Sequence, residues 1–501
     1  MDAHCGAWLR GFSADGLGGV VGSGAVQKVY TPVRGGRSSA SGRAVLAHAR
    51  GILVELFPES PESPEPPETP ARGQVRRWLI AAVYVLCIVA GAALSLVRYV
   101  GLAPWKTVYA EDYPVYLVEA LAHPWRSIFT SYAGYEQLVP RLIAWFVTLL
   151  PLHDAAAGLA ITGALVASAV AVFVFCASAG HVHSIVLRVL LGMSVLLLPV
   201  ALLEIANTGV NTPWYLLIAL FWALLWRPRS KAGIAVAALA GFVAASSNIT
   251  AVVFVVLVAI RVIALPRVRE QAVSIGWLAG CLVQLPYVLT STSTSSSRLS
   301  QLAAPGQTAS FYGHDVLLPA FGWHLSWLLR HWVGRDYGVL IIGGLIAIAA
   351  TVALFTGTRR VRVFAATALG FGFLFAAFAA TVTWWVTVNP VKFGFEPGAR
   401  YTGLPILLIT AAAVVAIDGR LREVSVGSAW SLAAVLAMTA VLCVGWIPDF
   451  RYAAHRTEAP AWAPILSQWV RTCQHHDAIY YPDSYDSNVV MVIPCARVRG
   501  Q

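Results

Sequence analysis

Residues 78–97 read WLIAAVYVLCIVAGAALSLV, twenty residues without a charge, and Arg72, Arg76 and Arg77 stand just before them. An α-helix rises about 1.5 Å per residue, so this run reaches about 30 Å, the depth of a bilayer's hydrocarbon core. Backbone groups at that depth have no water to bond, and a helix satisfies them within its own length. The run is therefore a transmembrane helix, and the arginines hold its entry on the inner side.

Working outward from this span, apolar runs recur along the chain, with arginine clusters fixing their sides. Residues 155–178 return inward and 185–203 lead out from Arg188. Residues 213–226 come in to Arg227-Pro228-Arg229-Ser230-Lys231, and two short runs, 232–247 and 249–265, form a hairpin back to Arg267 and Arg269. Residues 271–290 go out, 337–356 come in to Arg359, Arg360 and Arg362, and 363–386 go out. Residues 402–417 then come in to Arg420 and Arg422, and 428–447 go out. The expected architecture is an all-α polytopic membrane protein of about eleven spans, N-terminus cytoplasmic and C-terminus extracytoplasmic.

The run Leu138–Pro151 is apolar for only about 14 residues. Counting it as a span would place the later arginine clusters outside. It is expected to lie along the outer surface or to re-enter it, within a long first outer loop, 98–154.

Composition agrees. Hydrophobic residues make up 58% of the chain, charged residues 12%, and the mean hydropathy is +0.69. A soluble protein of 501 residues exposes far more charge. The formal net charge of +11 comes from short clusters between apolar runs, so the basic residues read as topology determinants and phosphate contacts. Nucleic acid is not an expected partner; membrane lipids are. Only Lys28, Lys106, Lys231 and Lys392 are lysines, which with the abundant alanine and valine suggests a GC-rich bacterial genome.

Three regions follow: an extension at 1–77, expected to be disordered and cytoplasmic because Pro58–Glu68 alternates proline with acid; a transmembrane domain at 78–447; and a tail at 448–501. Of seven cysteines, Cys87, Cys176, Cys281 and Cys443 lie in apolar runs. Cys473 and Cys495, in the polar tail, can form a disulfide if that tail is extracytoplasmic, and otherwise are two free thiols.

Polar chemistry gathers at the outer ends of the spans. Glu111-Asp112 follow the first span in a chain with few carboxylates near its membrane segments. An ionisable group beside hydrocarbon is costly, which points to function, with a helix N-cap as the structural alternative. A sugar carried on a polyprenyl phosphate keeps its lipid in the bilayer and its anomeric carbon at the interface. An enzyme using it needs a base, cations for the leaving phosphate and aromatic platforms for the sugar. Asp112, with Glu111 beside it, is the candidate base. Arg400, before Tyr401, is the candidate phosphate ligand, with Arg141 and Lys392 as further candidates; interfacial anchoring is the alternative for each. Tyr401, Asn207, Asn211 and Trp214 are candidate substrate contacts, with loop capping and an aromatic belt as the alternative. Glu204 is a reserve carboxylate, and the aromatic run Phe321–Trp332 reads as an interfacial helix.

With these residues placed, the chain resembles the GT-C superfamily of membrane glycosyltransferases that use polyprenyl-phosphate sugars, and within it actinobacterial members. The resemblance rests on Glu111-Asp112 in a long first outer loop, Tyr132–Arg141, Asn207–Tyr215, Arg400–Pro405 and the tail with Cys473 and Cys495. It covers roughly residues 75–498. It implies a GT-C-like fold with interfacial helices in the first loop and a first-loop acid as catalytic base, carried over onto Asp112. It also implies a lipid-linked donor and a divalent cation beside the acidic loop in some relatives; no complete ligand set is visible here and no other cofactor is expected. The expected activity is inverting sugar transfer from a polyprenyl-phosphate donor to a cell-envelope glycan, lipid or protein at the bacterial plasma membrane. The rival is a flippase for lipid-linked sugars or another transporter, which would carry polar groups within its spans and internal repeats. A non-catalytic envelope scaffold is the third reading.

Overall fold

The computed structural model describes residues 47–59 (49 apart), 70–290, 305–382, 398–423, 429–451, 459–482 and 490–499. Within the described residues, each of the eleven expected segments contains a helix. They are α1 (Pro70–Leu96), α3 (Ala155–Ala177), α4 (Ile185–Leu196, continued by a turn at Ala201–Glu204), α5 (Thr212–Leu225), α6 (Lys231–Ser247) and α7 (Val255–Ala264, entered through a 3-10 turn, Ile249–Phe254). After these come α8 (Ala272–Thr290), α10 (Arg335–Thr356), α11 (Arg359–Val382), α12 (Ala399–Glu423) and α13 (Ala429–Trp446). Among the described residues, seven helices are long and apolar enough to cross a membrane. The protein is an all-α polytopic membrane protein. The short run at 138–151 becomes α2 (Leu138–Val147), and the aromatic run becomes α9 (Trp323–Trp332).

Helix α5 is apolar all round, and every residue from Tyr215 to Leu225 is buried, so it forms the centre of the bundle. Helix α1 lies at the periphery, with Trp78, Val85 and Leu86 exposed to the hydrocarbon. Helices α6 and α8 pack backbone to backbone. Gly276 and Gly280, one turn apart, face α6 so closely that an added methyl at Gly276 would lie 2.0 Å from the Ala238 carbonyl oxygen. Membrane helices gain no hydrophobic driving force from each other, so small residues that admit such contact supply the attraction.

Two boundaries differ from the sequence reading. Helix α1 begins at Pro70, eight residues before Trp78, because its arginine-bearing first turns continue the helix into the interface. Within the extension, Leu56 and Phe57 are buried in the main core, and Arg261 stacks over the Phe57 ring at 5.5 Å. Residues 53–59 therefore belong to the packed body, drawn in by two large apolar side chains.

The tail is a small unit of its own: α14 (Trp462–His475), an antiparallel hairpin of β1 (Ala478–Pro482) and β2 (Val490–Pro494), and α15 (Cys495–Arg499). Cys473 and Cys495 are joined in a disulfide. The unit covers the first loop: Trp462 and Trp469 pack on Tyr113 at 5.6 and 5.7 Å, Trp462 Nε1 donates to the Leu152 carbonyl, and the Val108 amide donates to Pro460.

Candidate active site

The acidic pair closes a 3-10 turn, Ala110–Asp112, that runs into a π-helical turn, Tyr113–Leu117. Asp112 is buried, and its carboxylate accepts the amides of Gly209 at 3.1 Å and Val210 at 2.7 Å. It thereby ties the first loop to the turn between α4 and α5. That turn is pressed against α3: a methyl added to Gly163 would sit 2.6 Å from the Thr208 carbonyl oxygen. Asn207 adopts φ +58°, a conformation asparagine tolerates better than most residues, and exchanges hydrogen bonds with Ser95 on α1. Asn211 donates to the Glu204 carbonyl. Both asparagines are buried, and these bonds hold the turn in shape.

Glu111 is half-buried beside Asp112, and the Tyr132 hydroxyl donates to it at 3.1 Å. Tyr132 is presented by a tight turn with Ala133 and Gly134 both at positive φ, closed by reciprocal bonds between Tyr132 and Tyr135.

Across the bundle, Glu204 receives Arg400 at the start of α12. The Arg400 amide donates to one carboxylate oxygen at 3.0 Å and its guanidinium approaches the other at 3.1 Å. An anion at a helix N-terminus satisfies an otherwise orphaned amide and the helix dipole together. The guanidinium lies 5.4 Å from the Tyr401 ring centre, and Trp214 meets that ring edge-on at 4.9 Å. Arg400 Nε is buried without a hydrogen-bond partner. Glu111, Glu204, Trp214, Arg400 and Tyr401 thus share one end of the bundle. Lys392 lies outside the described residues.

Arg141 occupies a neighbouring position inside the first loop. It is buried, pairs with Glu119 and stacks over the Tyr116 ring at 4.5 Å. Glu136 completes this second cluster. Gln284 on α8 clamps its backbone from both sides, at 2.8 and 2.9 Å, and its carboxyl is buried. The Tyr287 hydroxyl approaches closely enough to favour the charged form, yet neither oxygen has a donor at hydrogen-bond geometry. Burial pushes the carboxyl up to about 7, against the opposing pull of Arg141. Sequence reasoning assigned Glu136 and Tyr132 no role. The signal for Glu136 was an acid two residues before the apolar stretch of α2.

Among the described residues no group of three or more histidine, cysteine or acidic side chains could hold a divalent cation. Asp112 is committed to backbone amides and Glu204 to Arg400.

No protein-family model and no curated protein matches the chain. Among solved structures, it is similar to an oligosaccharyltransferase of Archaeoglobus fulgidus, solved in complex with zinc and sulfate, at 12% identity and a TM-score of 0.37. The match covers 80% of this chain and 56% of that one. At that distance the chemistry has to be argued from the chain's own residues.

Proposed function

We propose that the protein is a GT-C-like glycosyltransferase that moves a sugar from a polyprenyl-phosphate donor to an envelope glycan, lipid or protein at the extracytoplasmic face. The observation that supports this reading is that Asp112 ties the loop carrying the half-buried carboxylate of Glu111 to the turn before α5, the same turn against which Arg400 and Tyr401 pack through Glu204 and Trp214. A base, a cation for phosphate and aromatic walls for a sugar are what the reaction requires.

The division of labour follows from the hydrogen bonds. Both Asp112 oxygens accept backbone amides of the turn between α4 and α5. Asp112 therefore positions the loop, and Glu111 is the proton acceptor. Glu111 takes the acceptor hydroxyl's proton as that oxygen attacks the anomeric carbon. The bond from that carbon to the phosphate oxygen breaks from the opposite face, inverting the centre. The electron pair leaves with the lipid phosphate, whose growing charge is met by Arg400. Placement and preorganised charge supply most of the acceleration.

The test is transfer from radiolabelled polyprenyl-phosphate sugars by membranes carrying the wild-type chain, Glu111→Gln or Arg400→Ala. Loss of transfer in both variants, with unchanged expression, supports the reading. Full turnover in both overturns it.

A further inference from the structure

At the opposite end of the bundle from Arg400, the described residues enclose a cleft of about 210 Å³. Five arginines and two glutamates line it. Arg227 and Arg229 come from the turn after α5, Arg261 from the last turn of α7, and Arg267 and Arg269 from the connection to α8. Two stretches of chain, 227–229 and 261–269, thus place guanidinium groups around one small space. Part of this charge is structural. Arg261 is buried and its Nε and Nη2 donate to the Glu270 carbonyl at 2.9 and 2.7 Å, while Arg227 pairs with the Glu270 carboxylate at 2.6 Å. Among the described residues, Glu270 offsets one cation from within and a second acid stands at the mouth. There Glu59, from the docked segment 53–59, reaches both Arg227 and Arg229.

Three observations say what the cleft takes. First, an anionic oxygen group already bridges two of its arginines: the Glu59 carboxylate, whose side chain is 58% exposed. Second, guanidinium forks match the oxygens of phosphate as well as those of carboxylate, and two glutamates leave five arginines with an excess of positive charge. Third, the neighbouring surface is apolar. Val262, Ile263 and Val268 are exposed beside Arg261, Arg267 and Arg269, so a molecule bound in the cleft meets hydrocarbon-facing side chains at its rim. The volume is below the roughly 300 Å³ of pockets that hold drug-sized ligands, which suits a headgroup and not a nucleotide.

We propose that this cleft binds the phosphate of an anionic membrane phospholipid, in competition with the Glu59 carboxylate, with the acyl chains lying along Val262, Ile263 and Val268. The site is remote from Glu111 and Arg400, so the inference stands independently of the sugar-transfer reading.

The experiment reconstitutes the full chain in nanodiscs of phosphatidylcholine, with or without phosphatidylglycerol, and measures retained phosphatidylglycerol by native mass spectrometry together with the thermal shift it causes. The substitutions Arg229→Gln, Arg267→Gln and Arg269→Gln combined should weaken phosphatidylglycerol retention by about a hundredfold, at about a factor of five per interfacial charge. Arg→Lys at the same three positions should restore most of it, because charge is kept. Glu59→Gln should tighten retention by about fivefold, because a competing anion is removed. Arg359→Gln with Arg362→Gln, outside the cleft, should leave it unchanged. Unfolding in phosphatidylcholine alone tells a lost site from a lost fold. Equal retention by wild type and the triple glutamine variant overturns the proposal. So does complete displacement of the lipid by inorganic phosphate, which would make the cleft a soluble-anion site.

Discussion

Glu204 holds Arg400 twice, through its backbone amide and through its guanidinium, so that the carboxylate ending the turn after α4 fixes the first residues of α12. The two residues are 196 apart in the chain. The guanidinium is therefore aimed by an acid that also caps its helix, and a bound phosphate would share it with Glu204.

Arg400→Ala is expected to weaken donor binding and slow transfer together, by about ten- to a hundredfold, the typical value of a charged hydrogen bond to phosphate. Arg400→Lys should recover part of the loss, because an ammonium keeps charge without the fork. Transfer rates measured over a donor titration check this. An unchanged donor KM in the alanine variant would refute the assignment.

Asp112 and Glu111 are expected to separate into a structural and a chemical residue. Asp112→Asn places an amide NH₂ where two backbone donors now point, which should cost about 1–3 kcal/mol of stability. Glu111→Gln should leave thermal unfolding unchanged and remove turnover. Paired melting curves and transfer assays decide. Turnover retained in Glu111→Gln and lost in a stably folded Asp112→Asn would exchange the two roles.

Glu136 predicts a pH dependence of stability. Its carboxyl is raised from 4.5 to about 7 on folding. The folded state therefore binds this proton more tightly than the unfolded chain, and the contribution is fully present below pH 4.5. It is lost as pH rises to about 7, by at most about 3 kcal/mol. Glu136→Gln should flatten the profile across that window. Denaturant titrations at several pH values measure it, and an unaltered slope in the variant would sink the idea.

The disulfide between Cys473 and Cys495 closes the unit that covers the first loop. Replacing both cysteines by serine is expected to cost about 2–4 kcal/mol and to expose the tail to limited proteolysis before the helical body unfolds. Thiol labelling of intact cells should reach these cysteines only after reduction. Labelling without reductant, or only after lysis, would contradict a bonded, extracytoplasmic tail.

Much of this was legible in the chain itself. Each of the eleven apolar segments was recognised, with most described ends close to those expected and α1 and α12 extended by six to eight residues, because helix length and hydrocarbon depth are local quantities. The hairpin β1–β2 was not foreseen, since two five-residue strands carry too little periodicity to separate them from a polar tail. Docking of Leu56 and Phe57 was hidden by the proline-acid run that follows them.

For the site, sequence alone determined which residue types stand at the ends of the spans, because charge is excluded from hydrocarbon and must collect at its edges. It placed Glu111, Asp112, Glu204 and Arg400 there. What each side chain does was decided only by the tertiary structure. The sequence put Asp112 forward as the base with Glu111 as its neighbour; in the structure Asp112 accepts two amides of the turn that Gly163 and Asn207 shape, and Glu111 accepts the Tyr132 hydroxyl. Hydrogen bonds between segments a hundred residues apart fix where these side chains sit, and no local pattern encodes them.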